Sequence, residues 1–305
     1  MGYQSLSPEA AAIKIKSLIE ARGKLTCSEL VFYGGMTDAA VQRGIRHLQQ
    51  EGYQESESLP VSHSESAATQ DKEKIGMELK VGLLPPIGEL ATYERALQFL
   101  ENIFHELSEP ESQFNQNFVT PDTSVRRILY AATRDTLKGK KLYFLGDDDL
   151  TSIVAAYLYP DADVYALDID KQLLSSLDAC AQKHGLKNLH TIEYNAFNEL
   201  PAHLRQQADL VWCDPSKDVL DVFLRNASAL IKDEGVIYTF AQPEYLPKSK
   251  KFYETMLKYN TIATDVIPRF NQYCGAGQYS RSQAITRGFQ LAFTESLVRL
   301  IKVPA

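Results

Sequence analysis

The sequence predicts an α/β protein with a mostly parallel, Rossmann-like sheet, preceded by a small winged-helix-like N-terminal domain. Three observations carry that expectation. Beyond Gly139, apolar strand-like runs alternate with helically spaced segments; the first run closes on a glycine turn; and the first fifty residues hold three short helical patterns before any strand signal.

The N-terminal part comes first. The stretch AAIKIKSLIEA spaces its apolar residues at helical intervals, and two shorter helices follow through LVFYGGMTDAAVQRGIRHLQQEGY, with Asp38 as the expected N-cap of the third. ESES and IGMELKVG are the candidate strands of a wing. A DNA-reading wing needs a basic face, yet residues 1–55 hold six Lys and Arg against six Asp and Glu. An accessory or dimerisation role is preferred, nucleic acid is disfavoured as a partner, and a homodimer is an expectation that no motif fixes. Tyr93, Leu97, Leu100, Phe104 and Leu107 mark a connecting helix, so the expected division is 1–85, 86–112 and 113–305.

The segment TPDTSVRRILYAATR opens a further helix with a capping hydroxyl, a proline and an acid in the first turn. Then come five expected strands, KLYFLG, DVYALDID, LHTIEYN, ADLVWCDP and GVIYTFAQ. Their alternation with helices implies right-handed crossovers and a parallel sheet covered on both faces.

Composition bounds the function classes. Hydrophobic residues make up 44% and charged residues 23% of 305 residues, and the net charge is −7. Cys27, Cys180, Cys213 and Cys274 have no CxxC spacing and the six histidines are scattered, so no metal is expected. No signal-peptide pattern and no apolar run of membrane-spanning length is seen, which leads to the expectation of a cytoplasmic protein away from membranes.

Ligands of such sheets bind at the carboxyl ends of the strands. Four of those ends carry polar groups here: Gly146 to Asp149, Asp168, Asn195 and Asp214. Asp168 lies 22 residues after Gly146, the spacing of an acid that holds ribose hydroxyls, and Asp170 is the expected cap of the next helix. Three consecutive aspartates, Asp147, Asp148 and Asp149, would repel a pyrophosphate, so NAD and FAD are disfavoured. A sulfonium nucleoside such as S-adenosylmethionine, which carries an amine and no phosphate, is compatible. Helix capping accounts for one or two of these aspartates, and the third is expected to face a cation.

On the pieces QFNQNFVTPDTSV, LGDDDLTS, LDID, the turn of Asp214 and Pro215, and DVIPRFNQY, residues 113–275 resemble the branched-chain polyamine synthases, the bis(aminopropyl)spermidine synthase family. The resemblance implies an aminopropyltransferase. It would move an aminopropyl group from decarboxylated S-adenosylmethionine to an amine of a polyamine such as spermidine and release methylthioadenosine. It also implies roles. Asp148 would orient and deprotonate the acceptor amine with Asp147 and Asp214 as catalytic companions, while Gly146, Asp149, Asp168, Asn195 and Ala196 would hold the donor. Asn115, Lys217, Asn271 and Tyr273 would line the acceptor side. The chain departs from the family pattern by Asn115 where an aspartate is usual, by Ser216 and Lys217 where the turn usually continues Pro-Glu, by Asn195 near a usual acid, and by the missing CxxC pair. Each of the three substitutions makes the site less acidic. The alternatives are therefore an S-adenosylmethionine-dependent aminocarboxypropyl- or methyltransferase acting on an amine and, third, a ligand-sensing DNA-binding regulator.

Overall fold

The computed structural model describes residues 6–23, 25–53, 90–109, 111–114, 116–241, 250–274, 280–281, 283–284 and 291–303. Three helices open it: α1 (Pro8–Arg22), α2 (Cys27–Gly34) and α3 (Asp38–Gln50). Each starts on a hydroxyl cap. Thr37, in an extended conformation, accepts the Ala40 N–H and caps α3, so Asp38, expected as the cap, is the first helical residue, where its charge still favours the helix N-terminus. The three helices share a core of their own around Ile15, Leu30, Val41 and Leu48, against which Leu291 packs. The expected wing strands lie outside the described residues.

The connecting helix is α4 (Leu90–Ile103), followed by a turn of 3-10 helix at Phe104–Glu106. Next, α5 (Pro121–Arg134) starts on Thr120, whose hydroxyl accepts the Thr123 N–H at 3.2 Å, with Pro121 and Asp122 in the first turn as expected. Then β1 (Lys141–Leu145), α6 (Thr151–Leu158), β2 (Asp163–Asp168), α7 (Lys171–His184), β3 (Leu189–Glu193), β4 (Ala208–Cys213), α8 (Leu220–Leu230) and β5 (Ile231–Ala241) follow the predicted alternation. The chain ends with α9 (Lys250–Lys258), β6 (Thr261–Cys274) and β7 (Leu291–Lys302).

The seven strands among the described residues form one sheet in the order β3-β2-β1-β4-β5-β7-β6. The first five are parallel, and β7 runs antiparallel between β5 and β6. Side chains alternate between two cores. Leu142, Phe144, Val164, Leu210, Trp212 and Tyr238 pack under α4 to α7, whereas Tyr143, Leu145, Val211, Cys213 and Ile237 pack under α8 and α9. Burial on both faces is why these strands read as unbroken apolar runs. The order reverses between β1 and β4, and that switch point puts the ends of β1, β2 and β4 side by side. Among the described residues, no helix is long and apolar enough to cross a membrane.

The helix α5 runs through the interior, with every residue from Thr123 to Ala131 buried, so its start fixes what it delivers to the switch point. Thr120→Ala is expected to lower stability by about 1 kcal/mol through loss of the cap, read as a lower urea midpoint at unchanged slope.

Candidate active site

The turn after β1 is built from Gly146 to Leu150. Gly146 has φ +75°, its N–H donates to the Leu167 carbonyl at 2.8 Å, and an added Cβ would meet Phe223 at 3.2 Å. Leu150, also left-handed with φ 61°, is fully buried and ends the turn where α6 begins. Between them the three aspartates have separate fates.

Asp147 is buried and caps α6: its carboxylate accepts the Thr151 N–H at 3.0 Å and the Ser152 N–H at 3.2 Å. Burial pushes its carboxyl up to about 7 against the opposing bonds from Ser152. Asp149 is buried too. It accepts the Val119 N–H at 2.8 Å and pairs with Arg127 at 2.7 Å, while its carbonyl accepts the Ser124 hydroxyl at 2.6 Å. The Asp148 carboxylate makes no hydrogen bond to any described residue, and only its carbonyl is engaged, by Arg281. Burial raises its pKa well above the usual range, and Asp149, Asp168 and Asp214 raise it further.

Asp168, at the end of β2, accepts the Asp170 N–H at 2.8 Å on one oxygen and the Asp147 N–H at 3.2 Å on the other. A carboxylate has about four lone-pair sites, so Asp168 retains acceptor capacity for a ligand hydroxyl. Burial raises the Asp168 pKa and those two amides pull it back. Asp170 caps α7 through the Gln172 and Leu173 N–H groups. At the end of β3 the Asn195 side chain accepts the Phe197 N–H at 2.9 Å, and the Ala196 carbonyl accepts from Asn226 at 2.6 Å. Two apolar side chains follow these polar ends directly: Ile169 is 41% and Phe197 65% exposed.

Sequence reasoning missed the centre of the site, Arg127 on α5, which is 2% exposed. Its guanidinium donates to Asp149 (2.7 Å), to Asp214 at the end of β4 (2.5 Å) and to Asn271 on β6 (3.1 Å), and it lies 4.0 Å from the centre of the Phe240 ring. Burial disfavours its charge, but Asp149 and Asp214 outweigh that, so its pKa is raised overall. Tyr273 on β6 donates to Asp214, sits 3.2 Å from Glu295 on β7 and stacks on Phe293. Burial followed by the nearby Asp214 and Glu295 charges raises its phenol well above the ordinary value. Burial pushes Asp214 up to about 7 despite Arg127, and raises Glu295 well above the usual range with Asp214 adding to it. Asp147, Asp148, Asp149, Asp168, Asp214, Asn271 and Tyr273 thus come together at the ends of β1, β2, β4 and β6. Lys217 is half-buried on the loop after β4, and Asn115 falls outside the described residues. No sequence signal singled out Arg127, because the helix also carries Asp122, Thr123, Ser124 and Arg126 and reads as an amphipathic one with a solvated face.

Arg127→Met removes the cation and leaves Asp149 and Asp214 buried without their partner. It is expected to cost about 3 to 5 kcal/mol, as deletion of one member of a buried pair does, measured by urea unfolding.

Similarity to known proteins bears on this arrangement. A stretch of 202 residues is 27% identical to the N(4)-bis(aminopropyl)spermidine synthase of Thermococcus kodakarensis, covering 64% of this chain and 58% of that one. A stretch of 179 residues is 29% identical to an uncharacterized protein of Methanocaldococcus jannaschii, covering 58% of this chain and 46% of the other, so the chain spans about half the length of the curated relatives it matches. The crystal structure of the branched-chain polyamine synthase from Thermus thermophilus, in complex with N4-aminopropylspermidine and 5'-methylthioadenosine, has the same fold, with a TM-score of 0.65 over 98% of this chain and 95% of that chain at 19% identity. Residues 95–292, more than half of the chain, match the model of the branched-chain polyamine synthase A C-terminal domain, and the chain belongs to that family.

Proposed function

We propose that the protein is an aminopropyltransferase that moves the aminopropyl group of decarboxylated S-adenosylmethionine to an amine of a polyamine such as spermidine. The observation that carries this reading is the Asp148 carboxylate. It stands at the switch point, surrounded by other acids, with no hydrogen bond of its own to a described residue, while its neighbours Asp147 and Asp149 are engaged by amides and by Arg127. An aliphatic ammonium has a pKa near 10, as lysine does, and must lose a proton before it can attack. The acid cluster favours the cation, Asp148 takes its proton, and the freed nitrogen attacks the carbon next to sulfur. The C–S bond breaks and methylthioadenosine leaves with the electron pair on sulfur. In-line placement of nitrogen, carbon and sulfur supplies the rest as a proximity effect.

For the donor, Asp168 takes the ribose hydroxyls, and the exposed side chains of Ile169 and Phe197 offer apolar surface to the base. Asp214 and Tyr273 serve the acceptor side, with Arg127 holding Asp214 in place. On this reading Asp147 and Asp149 shape the turn and do not touch the reacting atoms. Residues 113–305 are the catalytic unit, and residues 1–85 an accessory one joined by 86–112.

One observation favours a second reading: Lys217 sits half-buried three residues after Asp214, a cation that suits a donor or acceptor bearing a carboxylate. Intact S-adenosylmethionine would then give an aminocarboxypropyl or a methyl group to an amine. Incubating the protein with spermidine and either donor, followed by mass spectrometry, separates these outcomes by the mass added. Consumption of neither donor with any polyamine would sink both. Asp148→Asn is expected to lower turnover at least about 100-fold while methylthioadenosine still binds by calorimetry. Near-normal turnover would remove Asp148 from the proton transfer.

The acids also predict a pH dependence. Asp147 and Asp214, with pKa values raised to about 7 in the folded protein, hold protons that the unfolded chain has already released above about 4. The stability they contribute is complete below the ordinary carboxylate pKa and is lost as pH rises through about 7. The unliganded protein should therefore melt at a lower temperature at pH 8 than at pH 5.5, and spermidine should raise the melting temperature more at pH 8. An equal shift at both values would contradict a cation among these carboxylates.

A further inference from the structure

Arg281 lies in the short segment between β6 and β7 and is 1% exposed, yet nothing in the reaction described so far uses it. It joins three separate stretches of chain. Its backbone N–H donates to Glu109 at 2.6 Å, its Nε to the Ser108 carbonyl at 3.0 Å, and its Nη2 to the Asp148 carbonyl. The guanidinium plane also lies 5.0 Å from the Phe104 ring centre and 5.1 Å from that of Phe118.

The main chain around Asp148 is what this contact controls. The Asp148 carboxylate has no hydrogen bond from a described residue, so among the described residues the hydrogen bonds that hold this turn are those of its main chain and its two neighbours. Ahead of it the Asp147 N–H is held by Asp168, and behind it Asp149 is held by Val119 and Arg127. The carbonyl of Asp148 itself is held by Arg281. The charges agree with the geometry. After burial, the groups that push the Asp148 pKa up are Asp149, Asp168 and Asp214, and Arg281 acts against them. Arg281 in turn faces Asp148, Asp149, Glu109 and Asp147.

We propose that Arg281 is a positioning residue: it fixes the main chain of Asp148 through that residue's carbonyl and supplies the positive charge against which the Asp148 carboxylate ionises. The inference rests on Asp148 being the base of the proposed transfer. Lysine could not do the same work, because a guanidinium reaches two carbonyls from one plane while that plane lies against aromatic rings, and an ammonium is a point charge without that fork.

The test compares Arg281→Gln and Arg281→Lys with the parent protein, using decarboxylated S-adenosylmethionine and spermidine from pH 6 to 10, after circular dichroism and melting curves establish folding. Arg281→Gln should lower kcat about 10- to 100-fold with the donor KM within about 2-fold, the pattern of an interaction that matters in the transition state. The acid limb of its kcat profile should move up by about half a pH unit or more. Arg281→Lys, which keeps the charge and loses the fork, should retain the limb of the parent and recover only part of kcat. A folded Arg281→Gln with the kcat and limb of the parent, or one impaired through KM alone, overturns the proposal. If Arg281→Gln does not fold, Arg281→Lys decides: full kcat overturns it, and reduced kcat with an unmoved limb supports it. A parent protein that consumes neither donor refutes the transfer reading instead. In that case the Asp148 titration, followed by carboxyl-carbon NMR and assigned with Asp148→Asn, still decides on Arg281. An upward move in Arg281→Gln, or an unmoved value in Arg281→Lys should the former not fold, supports the charge role, and any other result overturns it.

Discussion

One guanidinium, that of Arg127, is wedged between carboxylates from two strand ends, and the geometry of the switch point depends on it. Asp149 comes from the turn after β1 and Asp214 from the end of β4, the strands between which the sheet order reverses. Bringing two acids into a dry crevice is unfavourable unless a cation accompanies them. Arg127 supplies that cation from a third direction, the interior helix α5, and engages β6 as well through Asn271. Four elements are thereby referred to one planar group, and the Asp148 turn is suspended from that arrangement.

The consequence is a division of labour among residues of the same type. Of three consecutive aspartates, the carboxylates of the outer two are engaged by amides and a buried arginine, and that of the middle one has no hydrogen bond to a described residue. Burial disfavours the Asp148 anion and the charges of Asp149, Asp168 and Asp214 add to that, which is why its pKa rises although Arg281 acts against them. A cationic ligand lowers that cost at the moment it binds. On the proposed reading, the same electrostatic strain acts as affinity for an amine and as basicity toward its proton.

Much of this arrangement was legible in the sequence, and its gaps have physical causes. The five parallel strands were readable because burial on both faces writes them as apolar runs. The last two were not: β6 has one end exposed, contains Pro268 and shifts register against β7, so its pattern is broken. The Gly-Asp-Asp-Asp turn, Asp168 and Asp214 were visible as polar groups at strand ends. Arg127 was not, since an arginine on a helix ordinarily covers a solvated face and only the tertiary placement of α5 reverses that. Arg281 and Glu295 come from the end of the chain, where spacing from the first strand carries no information about proximity. Asp38 was displaced by one position because Thr37, with its hydroxyl already in the capping geometry, competes for the same amide.

The strand β7 is anchored at two places along its length. Near one end Leu291 is seated against the core of the three N-terminal helices, and near the other Val298 and Leu300 are locked into the sheet. Between these supports lies Glu295, within reach of the Tyr273 hydroxyl. In mechanical terms β7 is a beam clamped at both ends with an acid near its midspan. The N-terminal helices thus bear on the strand that carries Glu295, and they adjoin the site through that strand rather than by a side chain of their own among the described residues.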